Sequence, residues 1–337
     1  MMQMNGHTKR NGWKIKLALL AAAALLGATG CSVSKDSDTV KPDIQVVDDG
    51  SRNEEKVDQK ELLQEFQSIV TSAEDATGIV SFLDANIEKA DQATADSMLR
   101  SLHDYYDVHL EAAQNAFFTS NVQEVLLKEA WPLTEETALA IKDETVRTLV
   151  QNAYKGGYKL EAVEGSIYPV VDYSVQSHYG KYVSEQMNAY IGLMAAESDK
   201  AAAKDGGLVI SWDELAARAL LAEAFVAKYK DSPEREAVEN EYVNKYMSMY
   251  INGLVNTPIY DTDSFKLLDE VKASYKKTIA EAPDSVTGRL VAQFLDVLAE
   301  SGDQVIEVKD GEQAELQPIK QFREGLRAEA EKLLKQP

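Results

Sequence analysis

The chain has 337 residues, of which 45% are hydrophobic and 27% charged, so it is long enough to bury one large core or two modest ones. Its 56 acidic residues outnumber its 35 basic ones, and the net charge of −21 argues against nucleic acid or another polyanion as a partner. A single cysteine excludes an internal disulfide framework and a cysteine-rich metal site, and a mean hydropathy of −0.32 excludes a polytopic membrane protein.

The first 30 residues have the order of a secretory signal peptide. Four basic residues between positions 9 and 16 supply positive charge, and they are followed by Leu17–Leu26, a run of apolar residues. This run is too short to span a bilayer as a helix, which takes about 20 residues. We therefore expect residues 1–30 to be a cleaved export signal rather than part of the fold.

The apolar run is followed by Ala28-Thr29-Gly30-Cys31, which resembles the lipobox of bacterial lipoproteins. In that family the cysteine carries a diacylglyceryl group, with acyl chains such as palmitate, and becomes the new N-terminus after cleavage. The resemblance implies that Cys31 anchors the chain to the extracytoplasmic face of the cell membrane. Ala28 departs from the family's pattern, in which leucine is commoner. The whole chain also loosely resembles cell-surface lipoproteins of Gram-positive bacteria with uncharacterised functions, which implies no activity and no site residues.

Residues 32–54 are rich in Ser, Asp and Lys and poor in large apolar side chains. Such a composition cannot bury enough surface to offset the entropy of ordering, so we expect a disordered tether. A flexible linker of this length has a root-mean-square reach of about 25–30 Å. Residues 31–54, the lipidated cysteine and its linker, would then hold a helical domain of residues 55–337 away from the membrane.

From about residue 55 onward, apolar residues recur mostly at the spacing of a helix face. Such faces begin at Leu62, Met98, Ala138, Leu215, Val243 and Leu290. A capping box at Ser211–Glu214 predicts a helix start. Strands and helices do not alternate repeatedly, which disfavours a doubly wound sheet and the two-lobed solute-binding proteins that need one. We predict a mainly α fold, a multi-helix bundle of roughly ten helices in one continuous domain.

Two segments depart from the helical pattern. In residues 157–173, apolar residues alternate on both sides of Glu164-Gly165-Ser166, which predicts a short hairpin that Pro169 restricts to a sheet edge. In residues 304–316, Asp310-Gly311 is a hairpin-type turn. The fold prediction therefore includes one or two short hairpins.

The first candidate site is aromatic, because twelve of the 15 tyrosines lie between positions 154 and 260. Tyr242, Tyr246 and Tyr250 have the spacing of one helix face. A tyrosine offers an apolar ring with a polar tip, so this face would suit a groove for sugars or peptides. The alternative is that the same rings are packed between helices.

The second candidate site is the segment Glu164–Tyr173, which combines carboxylates and tyrosines outside regular helix. Loops held by a rigid scaffold often carry function. Glu164 and Asp172 would act as a general acid/base pair or bind a cation, with Tyr168 and Tyr173 in the same site. The alternative is a connecting turn with a solvated carboxylate at each end.

The third candidate combines Glu197-Ser198 with Trp212, Asp213 and Glu214, which would form an acidic pocket flanked by the tryptophan. Helix capping, and an ion pair between Glu214 and Arg218 one turn later, explain the same charges. The histidine spacing predicts no metal site. The chain has no nucleophile elbow, P-loop, dinucleotide fingerprint or calcium loop, so we expect no cofactor.

Together these features predict a membrane-anchored lipoprotein that binds or organises something in the cell envelope without catalysis. Its partners would be the membrane, through the lipid on Cys31, and a peptide, a glycan or an envelope protein. Two alternatives stay open, an envelope hydrolase that uses carboxylates of residues 164–173 and a chaperone-like assembly factor for secreted proteins. The sequence does not decide whether the chain is an enzyme, but the lack of a catalytic motif favours a non-enzymatic function.

Overall fold

The computed structural model describes residues 57–336, and the predicted signal peptide, Cys31 and the tether lie outside them. The thirteen α-helices of the described residues are α1 Gln59–Ser72, α2 Thr77–Asn86, α3 Gln92–Ala116, α4 Val122–Leu126, α5 Glu135–Ala138, α6 Glu144–Lys155, α7 Glu185–Asp199, α8 Trp212–Lys228, α9 Arg235–Asn240, α10 Ser248–Asn252, α11 Asp269–Glu281, α12 Val286–Glu300 and α13 Gln317–Leu334. Two 3-10 segments, Ile87–Lys89 and Tyr173–Lys181, and a π-helical segment, Glu241–Met247, complete the helical part. The predicted mainly α, multi-helix fold is confirmed.

The strands form three separate antiparallel hairpins. They are β1 Tyr158–Val163 with β2 Ser166–Val171, β3 Ala203–Lys204 with β4 Gly207–Leu208, and β5 Ile306–Lys309 with β6 Glu312–Glu315. Each hairpin turns on a residue followed by glycine, both at positive φ, as a type I′ turn requires. The first and third hairpins confirm the prediction. The second, at Asp205-Gly206, escaped it because strands of two residues are too short to show alternation.

The start of α8 illustrates how local sequence sets the helix ends. The hydroxyl of Ser211 accepts a hydrogen bond from the backbone N–H of Glu214 at 3.1 Å, as the capping box predicts. The Glu214 carboxylate pairs instead with Arg218, one turn on, at 2.8 Å. The serine half of the box is therefore formed, and the glutamate makes the helical ion pair that its spacing also indicated.

Two hydrophobic cores occupy the described residues, which belong to one compact unit. The first core is built from α1 to α7 and the hairpin β1–β2, and it buries Phe66, Leu99 and Ile191 almost completely. The second core extends from Ala202 to the last helix. Tyr190 of α7 packs against both cores, so α7 lies between them.

Candidate functional site

A groove lies beside the first hairpin, and we call it the hairpin groove. One face of β1 and β2 forms its floor, α3 forms one wall, and the end of α7 with β3 forms the other. Its volume is about 520 Å³, which is enough for a small ligand or a side chain of a partner. The lining residues that matter for its chemistry are Asp107, Glu161, Tyr168, Tyr173, Ser198 and Lys204.

The alternation of the strands decides which hairpin residues face this groove. Glu161 pairs with Tyr168 across the hairpin, and both line the groove. Leu160 and Ile167 are on the opposite face and are buried in the first core. Successive side chains along each strand therefore point alternately into the groove and into the first core.

The outer edge of β2 is closed by glutamine side chains rather than by a third strand. The Gln123 side chain donates to the carbonyl of Ile167 at 2.6 Å and accepts from its N–H at 2.9 Å. Gln114 donates to the carbonyl of Pro169 at 3.1 Å. Pro169, which has no N–H to offer, thus lies in an edge strand, and the hairpin is fixed against α3.

Two tyrosines of the groove have hydroxyls that are free to bind something else. Tyr168 and Tyr173 are half-buried, and neither hydroxyl makes a hydrogen bond to another residue between positions 57 and 336. The Tyr173 ring centroid lies 5.4 Å from that of His103. Burial raises the pKa of Tyr173, and the neighbouring Tyr190 and Asp107 raise it further. The Tyr173 hydroxyl therefore keeps its proton and can donate as well as accept.

Asp107 differs from the other wall carboxylates in its surroundings. Glu161 pairs with Lys204 at 2.6 Å and with Lys159 at 3.9 Å. In the part of the chain that the structure describes, no Lys, Arg or His comes within ion-pair distance of Asp107. Asp107 is exposed, but partial desolvation by the groove and the negative charge of Asp104 raise its pKa, which the nearby His103 lowers in part. The protein itself therefore does not neutralise this carboxylate.

Glu197 lies where the groove meets the second core, and it is already neutralised. Its carboxylate accepts from Arg218 at 2.9 Å and pairs with Lys245 at 3.1 Å. Arg218 is buried and also binds Glu214 at 2.8 Å. This network connects α7 to α8 and to the π-helical segment, so it holds the groove wall in place and offers no free charge.

The hairpin separates the two carboxylates that the sequence suggested as a pair. Glu164 lies exposed in the turn and Asp172 follows the far end of β2, roughly 20 Å away along the strands. Asp172 accepts hydrogen bonds from the N–H and hydroxyl of Ser174, at 3.0 and 2.5 Å, where the 3-10 segment begins. The predicted acid/base pair is therefore not formed. Tyr168 and Tyr173, from the same segment, do meet in the groove.

The second core takes up the tyrosines of the predicted aromatic face. Tyr242, Tyr246 and Tyr250 are all buried, at most 4% exposed. Their hydroxyls bond to Thr287, Glu197 and Ser274, at 3.1, 3.4 and 2.8 Å respectively. They therefore do not line a groove, and the alternative of packing between helices is the observed one.

Trp212 lies apart from the hairpin groove. It is buried at the start of α8, its ring 6.4 Å from that of Tyr250, and it lines another cavity with Asp213 and Lys277. Asp213 and Lys277 form an ion pair at 2.7 Å, and this hydrogen bond lowers the pKa of Asp213. The Asp213 carboxylate beside Trp212 is therefore already neutralised by a lysine of the protein.

Three residues of the groove were missed as site residues from the sequence. Asp107, Glu161 and Lys204 come from α3, β1 and β3, and only the packing of these elements brings them to one groove. One weak signal exists in the sequence, since His103 and Asp107 share a helix face, but that spacing by itself does not indicate a ligand site.

Comparison with known proteins adds no relative from which a function could be transferred: no family model, no curated protein and no solved structure matches the chain. Among residues 57–336, no group of three or more His, Cys, Asp or Glu side chains is arranged to hold a metal ion. None of the helices in this range has both the length and the hydrophobicity needed to cross a bilayer.

Proposed function

We propose that this chain is a lipid-anchored lipoprotein of the cell envelope that binds a ligand in the hairpin groove without catalysing a reaction. Cys31 carries the lipid, residues 32–54 are the tether, and the helical body displays the groove on the extracytoplasmic side. The order of positive charge, apolar run, small residues and cysteine supports the anchor. The groove supports the binding function.

The physics of attachment supports a lipid rather than an electrostatic contact. Two acyl chains give stable membrane binding, because each buried methylene contributes about 0.8 kcal/mol. The signal segment holds four basic residues and no acidic ones, so the exported part has a more negative net charge than the whole chain. Membrane surfaces are often anionic and repel such a body. The acyl chains on Cys31 are then the attachment.

The observation that carries the binding function is the unused polar surface inside the groove. The core tyrosines use their hydroxyls in hydrogen bonds between helices, whereas the groove tyrosines leave theirs open to solvent. Tyr168 and Tyr173 keep their hydroxyls free, among the residues described, in a concave site with apolar walls. Such a combination of apolar surface and a few convergent polar groups is typical of ligand sites.

The two alternative functions lack a comparable observation. The hydrolase depended on Glu164 and Asp172 acting together, and the hairpin holds them apart. The chaperone-like function needs a broad apolar patch. The exposed large apolar side chains include Val108, Leu221 and Val255, and a further group, Phe118, Leu127, Trp131 and Leu139, lies between the ends of α3 and α5, outside the groove. We therefore propose only the ligand-binding function.

The anchor is tested by labelling and fractionation of cells that express the full chain. The wild type should incorporate labelled palmitate and sediment with membranes, and Cys31→Ser should lose the label and leave the membrane fraction. Ser32→Ala is the matched control and should behave as the wild type. Membrane retention of an unlabelled Cys31→Ser chain would contradict the anchor.

The binding function is tested by photo-crosslinking on intact cells. A photoreactive residue replaces Tyr168 in the groove or, as the control, Val255, which is 92% exposed and outside it. We expect a discrete mass increase from position 168 and none from position 255. Identical adducts from both positions, or no adduct from either, would refute a groove ligand.

A further inference from the structure

We propose that the ligand of the hairpin groove is an organic cation, an alkylammonium or guanidinium group, held between the Asp107 carboxylate and the rings of Tyr168 and Tyr173. The inference rests on the proposed binding function and adds the ligand's chemical class. The same positive group occurs on free diamines and on the lysine or arginine side chains of a peptide, and the experiment below separates these two sources.

Asp107 is a carboxylate of the groove wall that no cation in the described part of the chain neutralises. Glu161 is paired with Lys204 and Lys159, and Glu197 with Arg218 and Lys245. A ligand cation would gain little from either, because a protein cation already holds each carboxylate. Asp107 has no such partner among residues 57–336, so it can pair with a cation that arrives from outside.

Asp107 lines the groove with its side chain exposed to solvent, so a cation can reach it directly. Partial desolvation and the nearby Asp104 disfavour its ionised form, as its raised pKa reflects. A bound positive charge removes that penalty at close range.

The aromatic walls suit the same ligand. The faces of tyrosine rings are electronegative and attract ammonium and guanidinium groups within about 6 Å of the ring centroid. Tyr168 rises from the hairpin floor, and Tyr173 lies where the hairpin continues into the 3-10 segment. Their free hydroxyls can accept hydrogen bonds from the N–H groups of the cation.

Two further observations favour a positive ligand over an anionic one. Asp205, exposed in the turn between β3 and β4, adds a second carboxylate to the groove lining. Lys204, the one lysine of the lining, is engaged by Glu161 at 2.6 Å. An anion would therefore meet negative charge and no free cation of the described lining.

The test is isothermal titration calorimetry on the full chain in detergent, with four probes. They are an end-blocked Ala-Lys-Ala peptide, the same peptide with its lysine acetylated, 1,5-diaminopentane, and a neutral chitin trisaccharide. We expect the lysine peptide or the diamine to bind, and the acetylated peptide to bind at least about tenfold more weakly because its charge is gone. Binding by the peptide alone assigns the ligand to a polypeptide, whereas binding by the diamine assigns it to free amines.

Variants locate the binding and exclude a nonspecific attraction to an acidic protein. Asp107→Asn should weaken the binding of the cationic probe about tenfold or more and Tyr168→Ala about fivefold, whereas Tyr168→Phe, which keeps the ring face and loses only the hydroxyl, should weaken it less than Tyr168→Ala. The matched control is Asp231→Asn, an exposed aspartate outside the groove, and it should leave the affinity unchanged.

Three results would overturn the cation assignment. They are equal binding of the acetylated and unmodified peptides, an unchanged affinity in Asp107→Asn, and no binding of any cationic probe. If the trisaccharide alone binds and Tyr168→Ala abolishes that binding, the cation is refuted while the groove remains the binding site. A crosslink at position 168 without cation binding would separate the two hypotheses in the same way.

Discussion

The tyrosines of the second core and those of the hairpin groove have the same chemistry but opposite surroundings. Tyr250 is fully buried, and its hydroxyl bonds to Ser274 at 2.8 Å and to Thr278 at 3.0 Å. Tyr168 and Tyr173 are half-buried, and no described residue engages their hydroxyls. The contrast teaches that a tyrosine marks a binding site only where its polar tip is left without a protein partner.

The core tyrosines use their hydroxyls to select one packing arrangement. Tyr275 packs edge-on to Tyr250, with ring centroids 4.9 Å apart, and donates to its carbonyl at 2.5 Å. Tyr242 meets Thr287 at 3.1 Å. A shifted helix would leave these groups buried and unbonded, which is costly. The groove tyrosines carry no such constraint, so their substitution should change binding more than folding.

The largest contrast should appear on truncation to alanine. Tyr250→Ala opens a cavity and removes the hydrogen bonds to Ser274 and Thr278, so we expect a loss of about 4 kcal/mol in the free energy of unfolding. Tyr168→Ala should cost about 1 kcal/mol, because the ring is half-exposed. Urea denaturation followed by circular dichroism measures both. Equal losses would mean that Tyr168 is a packing residue.

A slightly smaller effect is expected for the ion network behind the groove. Arg218→Met leaves Glu197 and Glu214 without their buried cation, and we expect a loss of about 3 kcal/mol. Arg235→Met, which breaks a more exposed pair with Glu239, should cost less than about 1 kcal/mol. The same denaturation experiment measures both. A neutral Arg218→Met would show that the network does not support the wall.

Removing a single hydroxyl should sharpen the comparison further. Tyr242→Phe loses a buried hydrogen bond while Thr287 keeps its bond to Glu223 at 2.8 Å, so we expect a cost of about 1 kcal/mol. Tyr173→Phe removes a hydroxyl that has no partner within residues 57–336, and stability should change by less than about 0.5 kcal/mol. The thermal unfolding midpoints of the two variants, measured in parallel, test this difference in stability. A larger loss in Tyr173→Phe would contradict the free hydroxyl.

The smallest expected effect is a pH dependence of the free energy of unfolding that comes from His103, whose ring packs against that of Tyr173. Burial lowers the pKa of His103 below its ordinary value of 6.5, although a hydrogen bond to Gln176 at 2.7 Å opposes this. The unfolded chain then binds a proton more readily than the folded one. The stabilisation is complete above about pH 6.5 and is lost as the pH falls through the lower, folded pKa.

This dependence is measured by urea denaturation at a series of pH values from 8 to 5. His103→Gln should be less sensitive to acid than the wild type, because one proton-binding site of the unfolded chain is gone. Titration of the His103 ring signals by NMR gives the folded pKa directly. A wild-type slope that persists in His103→Gln would assign the effect to other groups.

Much of the fold was predictable because its signals are local. Helix faces follow from apolar spacing, the start of α8 from Ser211, and two hairpins from an alternating pattern on each side of a turn. Each signal acts within a few residues, where backbone hydrogen bonds and side-chain sterics are decided. The second hairpin escaped because Asp205-Gly206 has too little strand around it to show a pattern.

The sequence by itself determined the class of fold, the helix faces and the candidate lipid anchor at Cys31, because charge, spacing and turn chemistry act over short stretches. Only the tertiary structure decided that Tyr242 and Tyr250 are buried while Tyr168 and Tyr173 open into a groove. The physical reason is that the residue spacing of a helix or strand predicts which side chains point in the same direction. It does not predict which other elements cover those side chains. That is decided by packing between elements far apart in the chain, as where α3 places Asp107 opposite β3.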